Sequence, residues 1–527
     1  MSKKLLRAGI IVFVVSIISK LLGFSKETLI AAIYGTSISS DAYYIALTPS
    51  TLAITFSLSL SGIFIPLFIR DLDQRNGAFR FLNNVLALFF FFTLILYAGL
   101  FLFQHQFLDL IAPGIPVEQQ QLYISLLKIM FPLIYIVIAV QIYTVVLNSM
   151  KSFLLPAISI LPSNLLIILY LEVFKDKLGL TGVAYATLIS NVIQYVILYF
   201  ALKKYDYKIK LPVKFFDFKT KEFLLLLLPI LMSTSFSQIS AIVDRVLASG
   251  LGEGSVSSLM YSFRLRGLAT GVFITSIITV TFPKAAEMAH KLEVKKLEAF
   301  TKKCMVALIY VLAPLTIFFM VFSKEIINLL FERGKFDQTA TAMTSGIFFT
   351  YSIGLVAIGF REVAVRTFYT FKDTKTPTFI MVISLMLNIV LSVVFTRFYG
   401  LQGLGLSASL SFIFTAIVMG YKLPKRLPNL WSKDFVVFHI KALCAFVISY
   451  LIIIFVRDSG AIQSFHELNG IEKLIMLGVY FALSTVVFML VLLVIREEHL
   501  MGYCKTIWMS RRRKVQRRDE KVENINY

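Results

Sequence analysis

The amino-acid sequence predicts an all-α polytopic membrane protein with about fourteen transmembrane helices, built as two pseudo-symmetric six-helix lobes plus a C-terminal helix pair. Three observations lead there. Of 527 residues, 58% are hydrophobic and the mean hydropathy is +0.81, outside the range of soluble globular chains. Apolar stretches of about 20 residues, enough to cross a hydrocarbon core of about 30 Å, recur along the whole length. A weak internal repeat, its two copies set six spans apart, divides the chain.

The apolar stretches begin near residues 8, 40, 82, 123, 153, 180, 223, 257, 303, 341, 377, 402, 435 and 472. The first opens like a secretory signal, with Lys3, Lys4 and Arg7 before Ala8–Ile18. No small-residue cleavage site follows, and the apolar pattern runs on through Lys20 to Ile33, so a retained helix is expected. Loops are short, with no Gly/Ser-rich or Pro-rich linker and no room for a soluble domain. Pro66, Pro132, Pro162, Pro229 and Pro314 fall in or near spans, where each removes a backbone hydrogen bond and bends the axis, around a cavity or simply for packing. The last two spans are nearly uncharged apart from Lys441 and Lys473 near their ends, which can snorkel. Such a pair either shelters a long hydrocarbon tail or packs on the bundle.

A net charge of +22 on a soluble chain would raise nucleic acid as a partner. Here it reports orientation. With the N-terminus inside and strict alternation over fourteen spans, 35 Lys and Arg fall in inside segments and 7 in outside ones. That bias predicts a cell-membrane protein with both termini cytoplasmic. The basic tail Arg511–Arg518 then reads as an anchor to anionic membrane lipids rather than a nucleic-acid site.

The residues exclude several chemistries. Cys304, Cys444 and Cys504 are scattered without CxxC, and the five histidines show no HxxxH or HExxH spacing, so neither a metal nor a cofactor is expected. No Walker A loop or G-x-S-x-G elbow occurs. Gly252-Glu253-Gly254 reads as a tight outer turn, and Phe322–Ala340, with Glu325, Glu332 and Asp337 balanced by Lys324, Arg333 and Lys335, as a solvated loop rather than a pair of glycosyl-transfer carboxylates. A transporter is expected, not an enzyme.

The repeat pairs Ser37–Tyr43 with Ser255–Tyr261, Phe103–Leu110 with Phe322–Leu329, Lys151 and Pro156 with Lys372 and Pro377, and Gly179–Gly182 with Gly400–Gly403. The offset spans six helices, an even number, so both copies enter the membrane from the same side. The predicted parts are an N-lobe (1–205), a C-lobe (206–430), a C-terminal helix pair (431–498) and a basic tail (499–527).

Charges inside these spans carry the functional information. Lys20, Lys26 and Glu27 lie in the first, Asp244 and Arg245 in the seventh, Arg264 and Arg266 in the eighth, and Arg361 and Arg366 in the tenth. An ionised side chain at mid-bilayer costs about 2.5–3.5 kcal/mol on insertion scales, so such residues face a wet cavity or a partner. Most are cationic, which suggests an anionic cargo. The repeat sets Lys26-Glu27 opposite Asp244-Arg245, pairs that either neutralise each other in packing or line the cleft between lobes.

Several segments resemble the MurJ (MviN) lipid II flippases of the multidrug/oligosaccharidyl-lipid/polysaccharide exporter superfamily. Ile18–Glu27, then Tyr34-Gly35 and Asp41-Ala42-Tyr43, is similar to that family's S-R-x-L-G-F-x-R-[DE]…[FY]-G…D-A-[FY] opening. Asp244–Ser249 with Gly254–Tyr261, Phe331–Asp337, and Arg366–Tyr369 with Asp373–Pro377 resemble later family segments. The resemblance implies alternating access and outward transfer of an undecaprenyl-diphosphate-linked peptidoglycan precursor, with the cell-wall synthesis machinery as a possible partner. It places diphosphate-binding cations on Lys20, Lys26 and Arg264, and gating or ion-pair groups on Glu27, Asp41, Asp244 and Arg245; Arg266, Arg361, Arg366 and Asn388 are secondary candidates. Two family arginines are lysines here, and the family's helix 2 arginine is missing, since 49–62 contains no cation. Of the sodium site described in some members only Asn388 stands as a counterpart, with Ser392 rather than an acid one turn on, so no sodium site is assigned. The nearest alternative is an exporter of another undecaprenyl-linked glycan, of capsule or teichuronic type; a membrane glycosyltransferase or polymerase is more distant.

Overall fold

The computed structural model describes residues 3–70, 75–210, 217–461, 465 and 468–497. The basic tail with Arg511–Arg518 and Cys504 lies outside the described residues, as do the side chains of Lys3, Lys4, Arg7 and Pro229. Among the described residues the chain is all-helical. The helices are α1 (Lys3–Tyr34), α2 (Ile38–Ala46), α3 (Thr48–Ile69), α4 (Arg75–Leu102), α5 (Gln104–Ile111), α6 (Val117–Met130), α7 (Leu133–Ser149), α8 (Leu154–Val173), α9 (Lys175–Lys203) and α10 (Phe218–Ser249). They continue with α11 (Ser255–Ala269), α12 (Thr275–His290), α13 (Val294–Val321), α14 (Ser323–Phe331), α15 (Gln338–Ser352), α16 (Leu355–Thr370), α17 (Lys375–Tyr399), α18 (Gln402–Lys422), α19 (Lys433–Val456) and α20 (Gly470–Val494).

Helix ends follow local chemistry. The Ser37 hydroxyl accepts from the Ser40 amide and starts α2, Asp217 does the same for Thr220 at the start of α10, and Asn469 with Glu472 forms a capping box on α20. Pro132 separates α6 from α7, while Pro66, Pro162, Pro283 and Pro314 sit inside helices. A π-helical turn, Thr270–Ile274, joins α11 to α12.

Among the described residues, ten helices or joined helices are long and apolar enough to cross a membrane, and α15 with α16, bent by 43°, makes an eleventh if that pair is one span. The segment 322–340, expected as a loop, contains the short helix α14. Its carboxylates have separate structural partners: Glu325 lies 3.5 Å from Arg457, Glu332 accepts from Thr341, and Asp337 caps α15 through the Ala340 amide. Lys441 and Lys473 are held at the ends of their helices by the Arg496 carbonyl (2.8 Å) and the Asn328 side chain (3.0 Å).

Two compact units divide the chain: one comprises Met1–Phe263, Leu330–Ile347 and Leu385–Ser407, the other Arg264–Leu329, Phe348–Ser384 and Ala408–Tyr527. In the first, α8 packs against α9 and α1, and α3 against α7. In the second, α13 packs against α12, α16, α19 and α20.

The repeat read from the sequence returns as repeated local geometry. Left-handed backbone occurs at Gly35 and Gly254, at Lys151 and Lys372, and at Gly179 and Gly400, three pairs that share the offset of the sequence repeat. The Ser163 hydroxyl donates to the Ser190 carbonyl at 2.9 Å, and at the corresponding place in the second copy Ser384 donates to Ser411 at 2.9 Å. The short helices α5 and α14 both start immediately after a phenylalanine, Phe103 and Phe322.

Two glycines at matching places in the repeat differ in what surrounds them. A Cβ at Gly403 would collide with the Phe395 carbonyl, whereas one at Gly182 would meet the phenol end of Tyr170. Backbone cannot yield as a side chain can. Gly403→Ala is therefore expected to lower the thermal unfolding midpoint in detergent by several degrees and Gly182→Ala by less; an equal or inverted ranking would contradict the packing described.

Candidate functional site

The C-terminal end of α1, the start of α2, the end of α10 and the start of α11 meet within the first unit. There the Asp41 carboxylate, 4% exposed, accepts from the backbone amides of Gly254 (2.8 Å) and Ser257 (2.7 Å). Asp41 sits in the first turn of α2 but caps α11, which belongs to the other copy of the repeat. In return the Glu253 carboxylate accepts from the amide of Ile38, the first residue of α2, at 3.2 Å. Each helix start is thus served by an acid from the other segment. A helix N-terminus exposes unpaired N–H groups and a partial positive charge, so it replaces the side-chain cation expected as a partner of Asp41.

The close approach needs glycine. Gly254 has φ +80°, and a Cβ there would lie 2.6 Å from the Thr36 carbonyl oxygen. Gly35 has φ +65°, and a Cβ would collide with the carbonyl of Lys335, whose amide donates to Ala32 at 2.8 Å. The 331–337 segment is seated on α1 by aromatic contacts: Phe331 lies 5.8 Å from Phe24 and 5.3 Å from Tyr261 between ring centres, and Phe336 5.7 Å from Tyr261.

Below this corner Glu27, also 4% exposed, accepts from the Tyr44 hydroxyl at 2.6 Å and lies 3.8 Å from Lys26 Nζ. The Tyr44 ring is edge-on to Tyr261 at 5.5 Å. The adjacent acid and base of α1 therefore do approach each other, and Glu27 also bonds a neutral phenol. Lys20, two turns back on α1, is exposed.

Asp244 and Arg245 are both buried on α10. The Ser392 hydroxyl lies 3.1 Å from Asp244 Oδ1 and 2.7 Å from the Ser407 hydroxyl, a polar ladder running from α10 through α17 to α18. One turn before Ser392, Asn388 bonds to Ser240 of α10. No cluster of three or more His, Cys, Asp or Glu able to hold a metal occurs among the described residues.

The other candidate cations lie in the second unit. Arg264 is half-buried on α11. Arg266 stacks 4.2 Å above Tyr351 and 5.5 Å from Phe412, the same ring that Arg361 covers at 5.0 Å. Arg361 also pairs with Glu362 at 2.7 Å, and Arg366 lies over Phe282 at 5.5 Å. Aromatic faces hold guanidinium groups well, and here they fix three arginines. Sequence reasoning missed Glu253, Tyr44 and the Ser392–Ser407 ladder. For Glu253 a signal was present, since the flanking glycines marked a tight turn and both do adopt positive φ.

A model of the family "Lipid II flippase MurJ" matches residues 30–469. A probable lipid II flippase MurJ of Buchnera aphidicola subsp. Acyrthosiphon pisum is 28% identical over 506 residues, covering 93% of this chain and 98% of that protein. One of Vibrio cholerae serotype O1 is 28% identical, covering 78% and 81%. Among solved structures, a lipid II flippase MurJ in an inward closed conformation aligns with TM-score 0.77 at 25% identity, covering 91% of this chain and 98% of that one. An inward-facing multidrug resistance MATE family transporter of the MOP superfamily shares the fold, with TM-score 0.66 at 16% identity and coverage of 80% and 98%.

The reciprocal caps differ in burial, and their removal should differ accordingly. Asp41→Ala leaves two buried amides without an acceptor and is expected to cost about 2–6 kcal/mol, each unmet donor being worth about 1–3 kcal/mol. Glu253→Ala, at an exposed single bond of 3.2 Å, should stay within about 1 kcal/mol. Unfolding of the two purified variants in detergent checks the ranking.

Proposed function

The chain belongs to the lipid II flippase MurJ family, and from that premise we propose that it works by alternating access, with the Asp41–α11 contact as its outer latch. It is a lipid II flippase, a multi-pass membrane transporter and not an enzyme. Its cargo is the undecaprenyl-diphosphate-linked peptidoglycan precursor, moved from the inner to the outer leaflet. The reading assigns fourteen spans: the eleven apolar ones together with α1, α10 and α11–α12, which carry Lys20, Lys26, Glu27, Asp244, Arg245, Arg264 and Arg266. A two-lobe division at 1–205 and 206–430, with α19 and α20 as an added pair, is supported by the recurrence of left-handed backbone at the offset of the sequence repeat. The apolar exposed faces of that pair, from Leu443 to Phe455 and from Leu474 to Val494, suit the hydrocarbon tail of the cargo.

In this reading Lys20, Lys26 and Arg264 bind the diphosphate, since attraction between an anion and a cation is far stronger in a low-dielectric surrounding than in water. Glu27 and Asp41 control the closed side, while Asp244 and Arg245 pair across the lobes. The single observation that carries the latch is a buried carboxylate bonded to two amides of the other repeat copy, those of Gly254 and Ser257. Hydrogen bonds to a charged group contribute about 1.5–3 kcal/mol each, so the pair supplies about 3–6 kcal/mol. Inverting a two-state population from 1:99 to 99:1 takes about 5.5 kcal/mol. A latch of this size is therefore one that cargo binding can open. An inside-negative potential assists outward movement of a diphosphate by about 2.3 kcal/mol per charge per 100 mV. Both termini are assigned to the cytoplasm, the basic tail to anionic lipids, and the cell-wall synthesis machinery stands as the partner consuming the cargo.

Lys26→Ala and Arg264→Ala are each expected to abolish rescue of a flippase-depleted cell while the protein remains in the membrane at normal amount, with precursor accumulating on the cytoplasmic leaflet. Normal growth of both would reject the assignment of the diphosphate site.

A further inference from the structure

A cleft opens within the second unit between α12, α13 and α16. Arg366, Thr281, Thr301, Cys304, Phe282 and Phe300 are among its walls. The Arg366 guanidinium lies over the Phe282 ring at 5.5 Å, and its Nε is buried without a hydrogen-bond partner. No carboxylate lies within ion-pair distance of Arg366 among the described residues. At the same cleft the exposed Lys284 ammonium lies 5.6 Å from the Phe300 ring centre. The hydroxyls of Thr281 and Thr367 donate to carbonyls of their own helices at 2.8 and 2.9 Å, which leaves Arg366 and Lys284 as the charged donors at the cleft and the Thr301 hydroxyl as a neutral one.

A partly buried guanidinium without an acid is costly unless an anion or water answers it. Two features say which anion. Arg366 is four residues from the end of α16, and Lys284 six from the end of α12, so both lie about 6–9 Å from the helix ends at 1.5 Å per residue. That is headgroup depth. The helix ends in question carry Lys291, Lys295, Lys296, Lys372 and Lys375, the basic side that faces anionic lipid. The remaining walls, with Phe282, Phe300 and Val363, are apolar and would give a soluble anion nothing.

We propose that this cleft is a binding site for the phosphate headgroup of an anionic phospholipid, held by Arg366 and Lys284 with its glycerol backbone against Phe282 and Phe300. The lipid is a resident ligand and not the cargo, which removes Arg366 from the residues that handle the transported diphosphate. The site does not depend on the cargo assignment, because its cations are separate from Lys26 and Arg264.

The test uses the full chain purified in a neutral detergent, with thermal unfolding followed during titration with dioctanoyl phosphatidylglycerol, dioctanoyl phosphatidylcholine, or inorganic phosphate. The expected result is a saturable upward shift with phosphatidylglycerol alone. Arg366→Gln should weaken its apparent affinity about tenfold or more, as expected for loss of a charge-assisted bond, and Arg366→Lys should restore part of it. Lys284→Gln, a change at an exposed position, should weaken affinity by about two- to fivefold and keeps the proposal open to test if Arg366→Gln does not fold. Equal shifts with both lipids, a phosphatidylglycerol response unchanged in Arg366→Gln or Lys284→Gln, or a full response to inorganic phosphate would each overturn the proposal, the last by identifying a free-anion site.

Discussion

A carboxylate inside an apolar bundle has to be answered by donors, and at Asp41 the donors are peptide N–H groups. This constraint shapes the whole corner. Amides at a helix start can reach a side chain on another segment only if the chain before them turns sharply, hence Gly252 and Gly254 at positive φ. They can approach it closely only if no Cβ intervenes, hence the 2.6 Å clearance at Gly254 against Thr36. The second acid, Glu253, then falls opposite the start of α2. Because the partner is a dipole end rather than an ammonium, the contact is lost when α11 shifts by a fraction of a turn. A long lysine could follow such a shift; a fixed amide cannot. On the proposed reading this gives the contact the two-state character that a gate requires.

The recurrence of long apolar stretches made the all-helical membrane fold legible in the sequence, and the repeat anticipated several matching turns. Gly179 and Gly400 are visible as residues and also share one backbone conformation, because a left-handed turn leaves a glycine that survives sequence divergence between the halves. Lys151 and Lys372 adopt the same conformation without being glycine, and only their alignment revealed them. The partner of Asp41 was not legible, since backbone amides have no letter in a sequence. The Ser392–Ser407 ladder was hidden for a related reason: serine is tolerated throughout membrane helices, so its presence marks no particular contact. The helix within 322–340 was obscured by charges that suggested solvent, although each acid there serves an individual partner.

The division between lysine and arginine follows from what each must do. Arg266, Arg361 and Arg366 all rest on aromatic faces, which fix a planar group and reduce its hydration. Lys26 lies 3.8 Å from Glu27, which also accepts from the Tyr44 hydroxyl at 2.6 Å. On the proposed reading the ammonium, on its flexible stem, moves between the carboxylate and an arriving anion. That matters more than tight binding, because a carrier has to release on the far side what it captures on the near one. A bidentate guanidinium fork at position 26 would deepen the bound state, whereas an ammonium gives Coulomb attraction without fixed geometry and lets the diphosphate leave once the surrounding field changes. The headgroup of a resident lipid need not leave, and Arg366 in its aromatic seat suits an anion that stays.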